Sequence, residues 1–410
     1  MPCKFSIVLL NYNGKKYIDN LFESLINLDS NGFTYEIIFV DNDSKDDSVN
    51  YLEQKYQKLI PSLKIIKSGR NLGFAGGNNY GVKFAEGEYI IFLNNDTAVP
   101  PNWLNELSAF IDQKSDFGII SSKLVFFYDF IKLNIRTQDK VILSTNITIN
   151  GEAYRIDPKF TKNVLYGEKE ITCFGHTTIY IPLLQGLETS YTIEFDHVKI
   201  HDEQTDCWVL NEQEISMDKT ITLDQDYISS NRLTLIQNAG SGINEKFDGY
   251  DIGFCEIDQG QYNRSVELDS CCGAAMLIRK ETFDKVGGFD QRFFMYYEDT
   301  DLSYRVKRQG LKLYLCPTAI IRHIHTGSSQ EWSPFFVYQI YRNKLLFIFK
   351  NFPFATFIKQ FIKYLLHVVK EVFTTRQKVS LKKSKVKAIF GFLRLSPYYI
   401  GAFKSKRGVK

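Results

Sequence analysis

Three carboxylates, Glu298, Asp299 and Asp301, lie within four positions of one segment, directly after an aromatic run. A carboxylate with negative neighbours has a raised pKa and can accept a proton from a hydroxyl group. Acidic residues are also favoured in the first turn of an α-helix, where the helix dipole is positive. The spacing therefore predicts either a general base or an acidic helix start, and both interpretations stay open at this point.

Two histidines, His323 and His325, occupy alternate positions at the end of an apolar run. Alternate residues of a strand face the same side, so both side chains would point toward one site. Neutral imidazole is a ligand for Mn²⁺, and its protonated form can bind diphosphate. A purely structural role for the two histidines is the other interpretation.

Polar residues also stand where apolar runs stop, at Asn11, Asn13, Asp41, Asn95 and Asp96. In open parallel sheets, ligands bind at the carboxyl ends of the strands, so these side chains mark an expected site. Asp41 could accept hydrogen bonds from a nucleobase or a ribose, and Asp96 suits Mg²⁺ or Mn²⁺, which prefer oxygen ligands. Helix caps and Asx turns explain each residue equally well in isolation.

A glycine-rich segment at residues 69–79 contains Arg70, Gly76, Gly77 and Asn78 and precedes a predicted helix. Glycines allow backbone N–H groups and a helix N-terminus to approach phosphate, and Arg70 adds a positive charge. The spacing matches neither GxGxxG nor GxxxxGK followed by Ser or Thr, which argues against a dinucleotide oxidoreductase and a P-loop NTPase. An ordinary tight turn remains the alternative.

The elements that must position these residues follow from the first 123 residues, where short apolar runs alternate with amphipathic stretches. This pattern predicts a βαβ arrangement around a parallel sheet. The predicted strands are Phe5–Leu10, Glu36–Asp41, Leu63–Lys67, Tyr89–Leu93 and Gly118–Lys123. The predicted helices are Lys15–Asn27, Ser48–Tyr56, Asn78–Ala85 and Asn102–Lys114.

The pattern changes between Val125 and Ile236, where β-branched and aromatic residues alternate with polar ones. This texture predicts an antiparallel β insertion. Its histidines, His176, His197 and His201, lack the spacing of a metal site, and we expect them to be structural or exposed.

Mixed α/β sequence resumes at Gln237 and predicts a helix at Asp299–Gln309. Two strands follow, Lys312–Leu315 and Ala319–His323, with Pro317 as the turn between them. The predicted organisation has four segments: 1–124, 125–236, 237–332 and 333–410.

Charge is distributed unevenly along the chain. Residues 333–410 contain 17 Lys or Arg against one acid, Glu371. Since the whole chain carries +3, the first 332 residues carry −13. This asymmetry argues against a uniformly basic nucleic-acid binder and indicates an acidic body with a basic tail that meets an anionic surface.

The basic tail has an amphipathic pattern. Its apolar stripe consists of Phe357, Ile358, Phe361, Ile362, Leu365, Leu366, Val369, Val372 and Phe373. Its polar side carries Lys359, Lys363, His367 and Lys370, and a later cluster consists of Lys382, Lys383, Lys385 and Lys387. A basic amphipathic helix of this kind can lie in a membrane interface. A helix packed on the acidic body is the alternative.

Seven cysteines form neither a CxxC pair nor a zinc pattern with histidine: Cys3, Cys173, Cys207, Cys255, Cys271, Cys272 and Cys316. The odd count indicates a reducing cytoplasm. The first apolar run is short and leads directly into patterned sequence, which is not typical of a signal peptide. No apolar run reaches the roughly 18 residues that span a bilayer. We therefore expect a cytoplasmic protein, peripheral to the inner face of the cell membrane.

An ordered set of motifs carries a family resemblance. The motifs are SIVLLNYNG, FVDNDSKDDS, GRNLGFAGGNN, LNND, CCGAAMLIR, GGFDQRFFMYYEDTDLSYR and IRHIHTGSS, and they run from Ser6 to about Asn343 around the β insertion. Together they resemble glycosyltransferase family 2, especially rhamnosyltransferase-like enzymes that build bacterial surface polysaccharides.

The resemblance implies an α/β fold of the GT-A type, a Rossmann-like domain for nucleotide-diphosphate sugars, with the β insertion and a helical basic tail. It implies an inverting hexosyltransferase that uses Mg²⁺ or Mn²⁺. The donor would be a nucleotide-diphosphate sugar, with thymidine-diphosphate rhamnose as the first guess. The acceptor would be a saccharide, expected to be lipid-linked, and self-association is plausible.

The resemblance also assigns roles by position. Asp299 matches the general base, with Glu298 as its partner, while Asp96 and His323 match the metal site. The donor residues are Asn11, Asn13, Asp41, Arg70, Gly76, Gly77, Asn78 and Asn95. The residues expected at the acceptor are Gly273, Ala274, Tyr297, Asp301 and His325.

One residue departs from the family pattern, because Asn94 stands where the first acid of the DxD metal motif is expected. Asn is a weaker, uncharged ligand, so Asp96 becomes the essential carboxylate. Two other classes remain as alternatives: a non-catalytic binding module for carbohydrate or nucleotide sugar, and a nucleotidyltransferase. The latter would need a basic glycine-rich loop after the first strand, where this chain has Asn11-Tyr12-Asn13-Gly14.

Overall fold

Two compact units make up the part of the chain that the structure, a computed structural model, describes. The described residues are 3–186, 190–200, 206–210, 212–325, 332–374 and 377–400. The small unit comprises Phe126–Gln237 and Gly253–Gly260, and the large unit comprises the segments before, between and after these two.

The helices and strands are numbered along the chain. The strands are β1 Cys3–Asn11, β2 Thr34–Asp41, β3 Leu63–Lys67, β4 Tyr89–Asn94, β5 Thr97–Ala98, β6 Phe117–Phe126, β7 Phe130–Arg136, β8 Val141–Ser144, β9 Asn146–Ile149, β10 Glu152–Arg155, β11 Thr161–Tyr166, β12 Glu170–Pro182, β13 Tyr191–Phe195, β14 Val198–Lys199, β15 Cys207–Leu210, β16 Gln213–Ser216, β17 Thr220–Leu223, β18 Ile236–Asn238, β19 Ser241–Ile243, β20 Gly249–Asp251, β21 Ala275–Arg279 and β22 Lys312–His323. The α-helices are α1 Ile18–Ile26, α2 Ser48–Lys55, α3 Gly73–Val82, α4 Trp103–Gln113, α5 Gln225–Asn231, α6 Lys280–Lys285, α7 Glu298–Lys307, α8 Pro334–Asn351, α9 Phe354–Thr374 and α10 Val379–Leu395.

The large unit is built on one sheet, with strands in the order β3, β2, β1, β4, β21, β6, β22, β5. The strands β1 to β4 are parallel to one another, while β21 is antiparallel to β4 and β6. The central strands are nearly continuous apolar runs, as expected for a sheet with both faces covered. The parallel sheet predicted from the first part of the chain is confirmed.

The register aligns the polar residues at the carboxyl ends of the parallel strands. Asn11 is paired with Asp41 across β1 and β2, and Leu10 is paired with Asn94 across β1 and β4. Three strand ends therefore meet at one edge of the sheet, and Asp96 follows directly after the third.

Helix α3 corrects one expectation. It begins at Gly73 rather than Asn78, so Gly76 and Gly77 lie inside the helix and not in a loop. A Cβ on Gly77 would lie 2.3 Å from Leu10, and one on Gly81 would lie 2.7 Å from Val8 and Val40. Glycine is a poor helix former, but here it allows the helix to pack directly on the sheet, and this contact outweighs the propensity.

Strand β22 corrects a second expectation, because it runs unbroken from Lys312 to His323 and includes Pro317. A proline is compatible with a strand where its nitrogen is not needed by the ladder. The expected turn is therefore absent, and one strand leads straight to His323.

The small unit contains antiparallel sheets. One has the order β10, β9, β13, β17, and the other has the order β14, β8, β12, β7, β15, β16, with β11 paired to β12. Apolar residues such as Ile135, Leu143 and Trp208 fill its core. The antiparallel β insertion is confirmed. His197 lies within 3.3 Å of Glu170, and His201 lies outside the described residues.

The basic tail forms three helices, and the first of them is not peripheral. Leu345, Leu346 and Phe347 of α8 are buried against Phe293 and Tyr297 of the large unit. Helix α8 therefore belongs to the core of that unit, which corrects the picture of the whole segment 333–410 as a separate tail. None of the described helices is long and apolar enough to cross a membrane.

Candidate active site

The strand-end residues form a hydrogen-bonded row. The Asn11 amide donates to Ser48 Oγ at 2.9 Å, and its carbonyl accepts from Asn95 Nδ2 at 2.8 Å. Asn11 is fully buried. Both groups of this side chain are thus used inside the protein, so Asn11 fixes the edge of the sheet and holds Asn95 in place.

Asp41 and Asn13 lie next to this row. Asp41 is 7% exposed and accepts a long bond of 3.3 Å from the Ser44 backbone N–H. Asn13 has a left-handed φ of 52°, and its side chain accepts from the Lys45 backbone N–H at 2.6 Å. The Asp41 carboxylate therefore lies beside the hydrogen-bonded loops that contain Asn13 and Ser44.

The glycine-rich segment is held by Asn42. Its side chain accepts from the Leu72 N–H at 2.9 Å and donates to Asn71 Oδ1 at 3.1 Å. Arg70 is exposed to solvent. Asn78 is buried, and its amide donates to the Phe74 carbonyl at 3.0 Å within α3. Of these predicted donor residues, Arg70 is therefore accessible, while Asn78 serves the helix itself.

Asp96 and His323 are brought together from distant parts of the sequence. Asp96 Oδ1 lies 3.1 Å from His323 Nε2, and both residues are buried. Strand β5 pairs Thr97 with His323, and Ile324 N–H donates to the Asp96 carbonyl at 2.9 Å. The backbone of the last strand thus fixes the imidazole against the carboxylate.

The chemistry of this pair suits a divalent cation. Among the described residues there is no group of three His, Cys, Asp or Glu that could hold a metal. Mg²⁺ and similar ions are commonly held by one or two protein ligands together with substrate phosphates. An oxygen ligand and an imidazole side by side match that need, and Asn94 Nδ2 lies 3.4 Å from His323 Nε2.

Asp299 lies at the start of α7 and remains partly exposed. Its Oδ2 accepts from the Gly273 N–H at 3.0 Å, and its Oδ1 accepts from the Thr300 N–H at 2.6 Å and from Thr300 Oγ1 at 3.3 Å. Burial raises the pKa of Asp299, and these hydrogen bonds oppose the rise. The carboxylate is therefore oriented by two backbone groups.

Glu298 is 4% exposed, and its Oε2 has no hydrogen-bond partner among the described residues. Burial raises its pKa well above the ordinary glutamate value, and the charges of Asp299 and Asp301 add to the effect. Two adjacent acids do not ionise equally. The hydrogen bonds of Asp299 favour its charged form, whereas burial and the neighbouring charges disfavour the charged form of Glu298.

A short backbone path joins the two parts of the site. Gly273 donates to Asp299, and the carbonyl of Ala274, the next residue, accepts from the Asn94 N–H at 2.9 Å. Ala274 is buried. The two predicted acceptor residues Gly273 and Ala274 thus connect the acidic segment to the strand end beside Asp96.

The loop before α7 has an unusual backbone. Phe294, Tyr296 and Tyr297 have φ values of 65°, 70° and 68°, a left-handed region that side chains rarely adopt. Such residues persist only where the surrounding structure holds them. Tyr297 is buried, and its hydroxyl donates to the Phe247 carbonyl at 2.7 Å. Tyr297 was expected at the acceptor, but its hydroxyl already has a hydrogen-bond partner inside the protein.

Helix α8 holds this loop. The Asn343 amide nitrogen lies 2.8, 2.8 and 2.7 Å from the carbonyl oxygens of Phe293, Met295 and Tyr296. Arg342 donates to the Phe293 carbonyl at 2.7 Å. Asn343 is fully buried. The carbonyls that the left-handed backbone turns inward are therefore satisfied by one amide and one guanidinium group.

Asp301 is a structural residue, which corrects its expected place at the acceptor. It is fully buried and accepts from Arg305 Nε, Lys350 Nζ and Asn351 Nδ2, each at 2.8 Å. A buried carboxylate is stable when it is paired and hydrogen-bonded. Asp301 therefore fastens α7 to the end of α8 and does not reach a ligand.

His325 follows β22 in a turn and is partly exposed. The remaining residues of its motif, 326–329, lie outside the described residues. Two residues near the site had no signal in the sequence patterns. Asn343 lies in the predicted tail, and Asp251 is the last residue of the short strand β20 and belongs to none of the motifs.

Comparison with known families bears on this geometry. A sequence model described as "Glycosyl transferase family 2" matches residues 6–181, which include the strand ends and Asp96. This segment is a glycosyltransferase family 2 domain. A second model, described as "N-terminal domain of galactosyltransferase", matches residues 254–327, which include Asp299 and His323.

Curated relatives match part of this chain. The poly(ribitol-phosphate) β-N-acetylglucosaminyltransferase TarS of Staphylococcus aureus is 34% identical over 122 residues, which cover 29% of this chain and 21% of TarS. The N-acetylglucosaminyl-diphospho-decaprenol L-rhamnosyltransferase of Mycobacterium tuberculosis is 43% identical over 62 residues, which cover 15% of this chain and 20% of that enzyme. The matched part of this chain thus spans only about a fifth of the length of either relative.

A solved structure shows the same fold. The crystal structure of GalNAc-T7 with UDP, GalNAc and Mn²⁺ superposes with a TM-score of 0.52 at 15% identity, over 98% of this chain and 58% of that one. The fold of this chain is therefore of the GT-A type, as the sequence motifs implied.

We expect Asn343→Ala to lower the free energy of unfolding by about 2 to 4 kcal/mol, because it leaves several buried carbonyls without a donor. Urea denaturation measures the change. The matched control is Asn50→Ala on α2, where the side chain is exposed and bonds only to a neighbouring aspartate, so the change should stay within about 0.5 kcal/mol. Equal stability of the two variants would contradict the role of Asn343.

Proposed function

We propose that this chain is an inverting glycosyltransferase that moves a sugar from a nucleotide-diphosphate donor to an acceptor hydroxyl. The observation that carries the proposal is the partly exposed Asp299 carboxylate, oriented by the Gly273 and Thr300 N–H groups. It is joined through Gly273, Ala274 and Asn94 to the strand end that carries Asp96. A base and a diphosphate site on one rigid backbone path are what such a transfer requires.

Asp299 removes the proton from the acceptor hydroxyl as that oxygen attacks the anomeric carbon. The raised pKa makes Asp299 a stronger base than a solvated aspartate, while its hydrogen bonds keep it ionised in preference to Glu298. A single base that activates the incoming hydroxyl supports a one-step displacement, which inverts the anomeric configuration. Glu298, as the protonated neighbour, avoids a second negative charge beside the base.

The donor lies across the carboxyl ends of β1, β2 and β4. Asp41 accepts hydrogen bonds from the base or ribose, and Arg70 contacts the nucleotide from the exposed side. Asp96 and His323 would hold a divalent cation at the diphosphate position. Such an ion, when bound, neutralises the charge that develops on the leaving diphosphate. GalNAc-T7, which shares the fold, was crystallised with UDP and Mn²⁺.

The names of the relatives guide the substrate proposal. TarS is named for N-acetylglucosamine transfer to poly(ribitol-phosphate), and the mycobacterial enzyme for rhamnose transfer to a decaprenol-linked sugar. We extend to this chain a role in cell-surface polysaccharide synthesis, with a polymeric or lipid-linked acceptor. Rhamnose from its thymidine-diphosphate donor and N-acetylglucosamine from its uridine-diphosphate donor are the first donors to test.

The α9–α10 surface is proposed to meet an anionic membrane. Its apolar members are exposed and recur on one side of α9: Ile358, Ile362, Leu366, Val369 and Phe373. Its exposed cations are Lys359, Lys363, Lys370, Lys383 and Lys387. Apolar side chains with flanking lysines favour a bilayer that contains anionic lipids. A lipid-linked acceptor would then be reached from the same surface.

Lys385 does not belong to this surface, which corrects its place in the predicted cluster. It is 3% exposed and forms an ion pair with Glu371, the one acid of the tail. The pair joins α10 to α9, because a buried lysine requires a charged partner. Lys383 and Lys387 of the cluster are exposed and can meet lipid.

Asp299→Asn should abolish transfer while the donor still binds, because the amide keeps the shape but cannot accept the proton. We expect turnover to fall by roughly 10²- to 10⁴-fold, the usual contribution of a general base. Release of nucleoside diphosphate measures turnover, and thermal stabilisation by UDP or dTDP with Mn²⁺ measures binding. Near-normal turnover of the variant would show that Asp299 is not the base.

The pH dependence of transfer should have its acid limb above the ordinary aspartate pKa. The ionised form of Asp299 is the active base, and burial raises its pKa, so activity falls as the pH drops through that raised value. Thr300→Val removes one hydrogen bond to the ionised form and should move the limb to higher pH. Profiles of kcat/KM against pH test both points. A limb that Thr300→Val leaves in place, or moves to lower pH, would assign it to another group.

Leu366→Asp should weaken binding to vesicles of phosphatidylcholine and phosphatidylglycerol by roughly tenfold, because it removes an apolar side chain that the membrane would bury on binding. Leu366 is 65% exposed, and the control Leu59→Asp changes a leucine that is 59% exposed away from this surface. Vesicle flotation measures the bound fraction. If both variants float like the wild type and Leu366→Asp instead changes the oligomeric state in size-exclusion chromatography, the surface joins two copies of the chain.

A further inference from the structure

The hairpin β19–β20 of the large unit carries a carboxylate, Asp251, with one committed and one uncommitted oxygen. Asp251 is paired with Ser241 across the hairpin. Its Oδ1 accepts from Asn238 Nδ2 at 2.5 Å and from Ser241 Oγ at 3.1 Å. Neither bond uses Oδ2, and the side chain is exposed to solvent. The carboxylate is thus oriented from one side and open on the other.

The hairpin is fastened to the segment that holds the base. Ser241 and Ser270 exchange two backbone hydrogen bonds of 3.1 and 3.0 Å. Three residues after Ser270, the Gly273 N–H donates to Asp299 at 3.0 Å. Between these points, Cys271 N–H donates to Ser303 Oγ of α7 at 3.1 Å. One short backbone segment, residues 270–273, is therefore hydrogen-bonded to the hairpin at one end and to the base at the other.

The pKa shifts of this region reflect interactions among its charged groups. Burial raises the pKa of Asp251, the negative charge of Asp299 adds to the rise, and His323 opposes it. The thiol of Cys272 has a raised pKa through burial and through the charges of both Asp251 and Asp299. Enough protein therefore surrounds the exposed Asp251 for it to interact with the base and with the histidine of the proposed cation pair.

We propose that Asp251 binds a hydroxyl group of the acceptor that neighbours the attacking hydroxyl, so that the acceptor is a neutral polyol or saccharide at this position. The proposal rests on the function proposed above and defines its acceptor. The uncommitted Oδ2 accepts the hydrogen bond from the neighbouring hydroxyl, while Asp299 receives the proton of the attacking one. Hydrogen bonds to a charged carboxylate are shorter and stronger than those between neutral groups.

The same charges exclude an anionic group next to the attacking hydroxyl. A phosphate there would face the carboxylates of Asp251 and Asp299, and like charges in surroundings of low polarity repel strongly. A polyol or sugar hydroxyl carries no charge and supplies the donor that a carboxylate needs. Phosphates further along a polymeric acceptor are compatible with the geometry.

The experiment compares the full-length wild type with Asp251→Ala and Asp251→Asn. The probes are ribitol, methyl β-N-acetylglucosaminide and ribitol 5-phosphate, with UDP-N-acetylglucosamine, UDP-glucose or dTDP-rhamnose and Mn²⁺. Probe-stimulated release of nucleoside diphosphate gives the KM for the probe, and release without a probe reports the donor alone. Saturation-transfer NMR detects binding of each probe without requiring turnover. The matched control is Glu245→Gln, which removes a charge from the exposed turn of the same hairpin.

We expect the wild type to bind and use at least one neutral probe. Asp251→Ala should raise the KM for that probe by roughly 10- to 100-fold, the effect of losing a hydrogen bond to a charged group. Asp251→Asn should show a smaller rise, and Glu245→Gln none. The donor KM should stay within about twofold in all variants, since a residue that acts on the acceptor alone leaves donor binding intact.

Three results would overturn the assignment. The first is a probe KM that is unchanged in both Asp251 variants, and the second is a loss of donor affinity equal to the loss of probe affinity. The third is a wild type that binds ribitol 5-phosphate but neither neutral probe, or no probe at all. Failure of the proposed function has a different signature, because nucleoside diphosphate would then be released from no donor, whatever residue stands at position 251.

Discussion

The hydrogen bonds from Asn343 to the loop before α7 are the interaction on which the rest of the site depends. Three residues of that loop have a left-handed backbone, which turns the carbonyls of Phe293, Met295 and Tyr296 toward one point. Unsatisfied buried carbonyls would favour another loop conformation. Asp299 is the second residue of the following helix, so its position depends on this side chain of α8.

Charged residues also connect the acidic segment to the C-terminal helices. Asp301 joins the first turn of α7 to Lys350 and Asn351 at the end of α8, and Lys350 also reaches Asp290 at 2.8 Å. Tyr399, beyond α10, donates to the same Asp290 at 2.9 Å. The C-terminal helices are thus connected to the acidic segment by buried polar contacts as well as by apolar packing. Such contacts specify one arrangement because each alternative leaves a buried charge without its partner.

Much of the sheet and part of the site could be predicted from the sequence, because local patterns encode them. Apolar runs that stop at Asn11, Asp41 and Asn94 predicted the strands and their shared edge, and the ordered motifs implied the pairing of Asp96 with His323. Contacts between distant residues could not be predicted in this way. The burial of Asp301 depends on Lys350, and the glycines of α3 depend on Leu10 and Val40, none of which is a neighbour in sequence.

The route of the chain adds a consequence for folding order. The chain passes through the small unit from Phe126 to Gln237, forms the hairpin that ends at Asp251, and returns to the small unit from Gly253 to Gly260. Both ends of the hairpin are therefore tied to one independently packed body. Once that body has formed, both ends of residues 238–252 are held in it, so this segment has fewer conformations to lose when it becomes the hairpin.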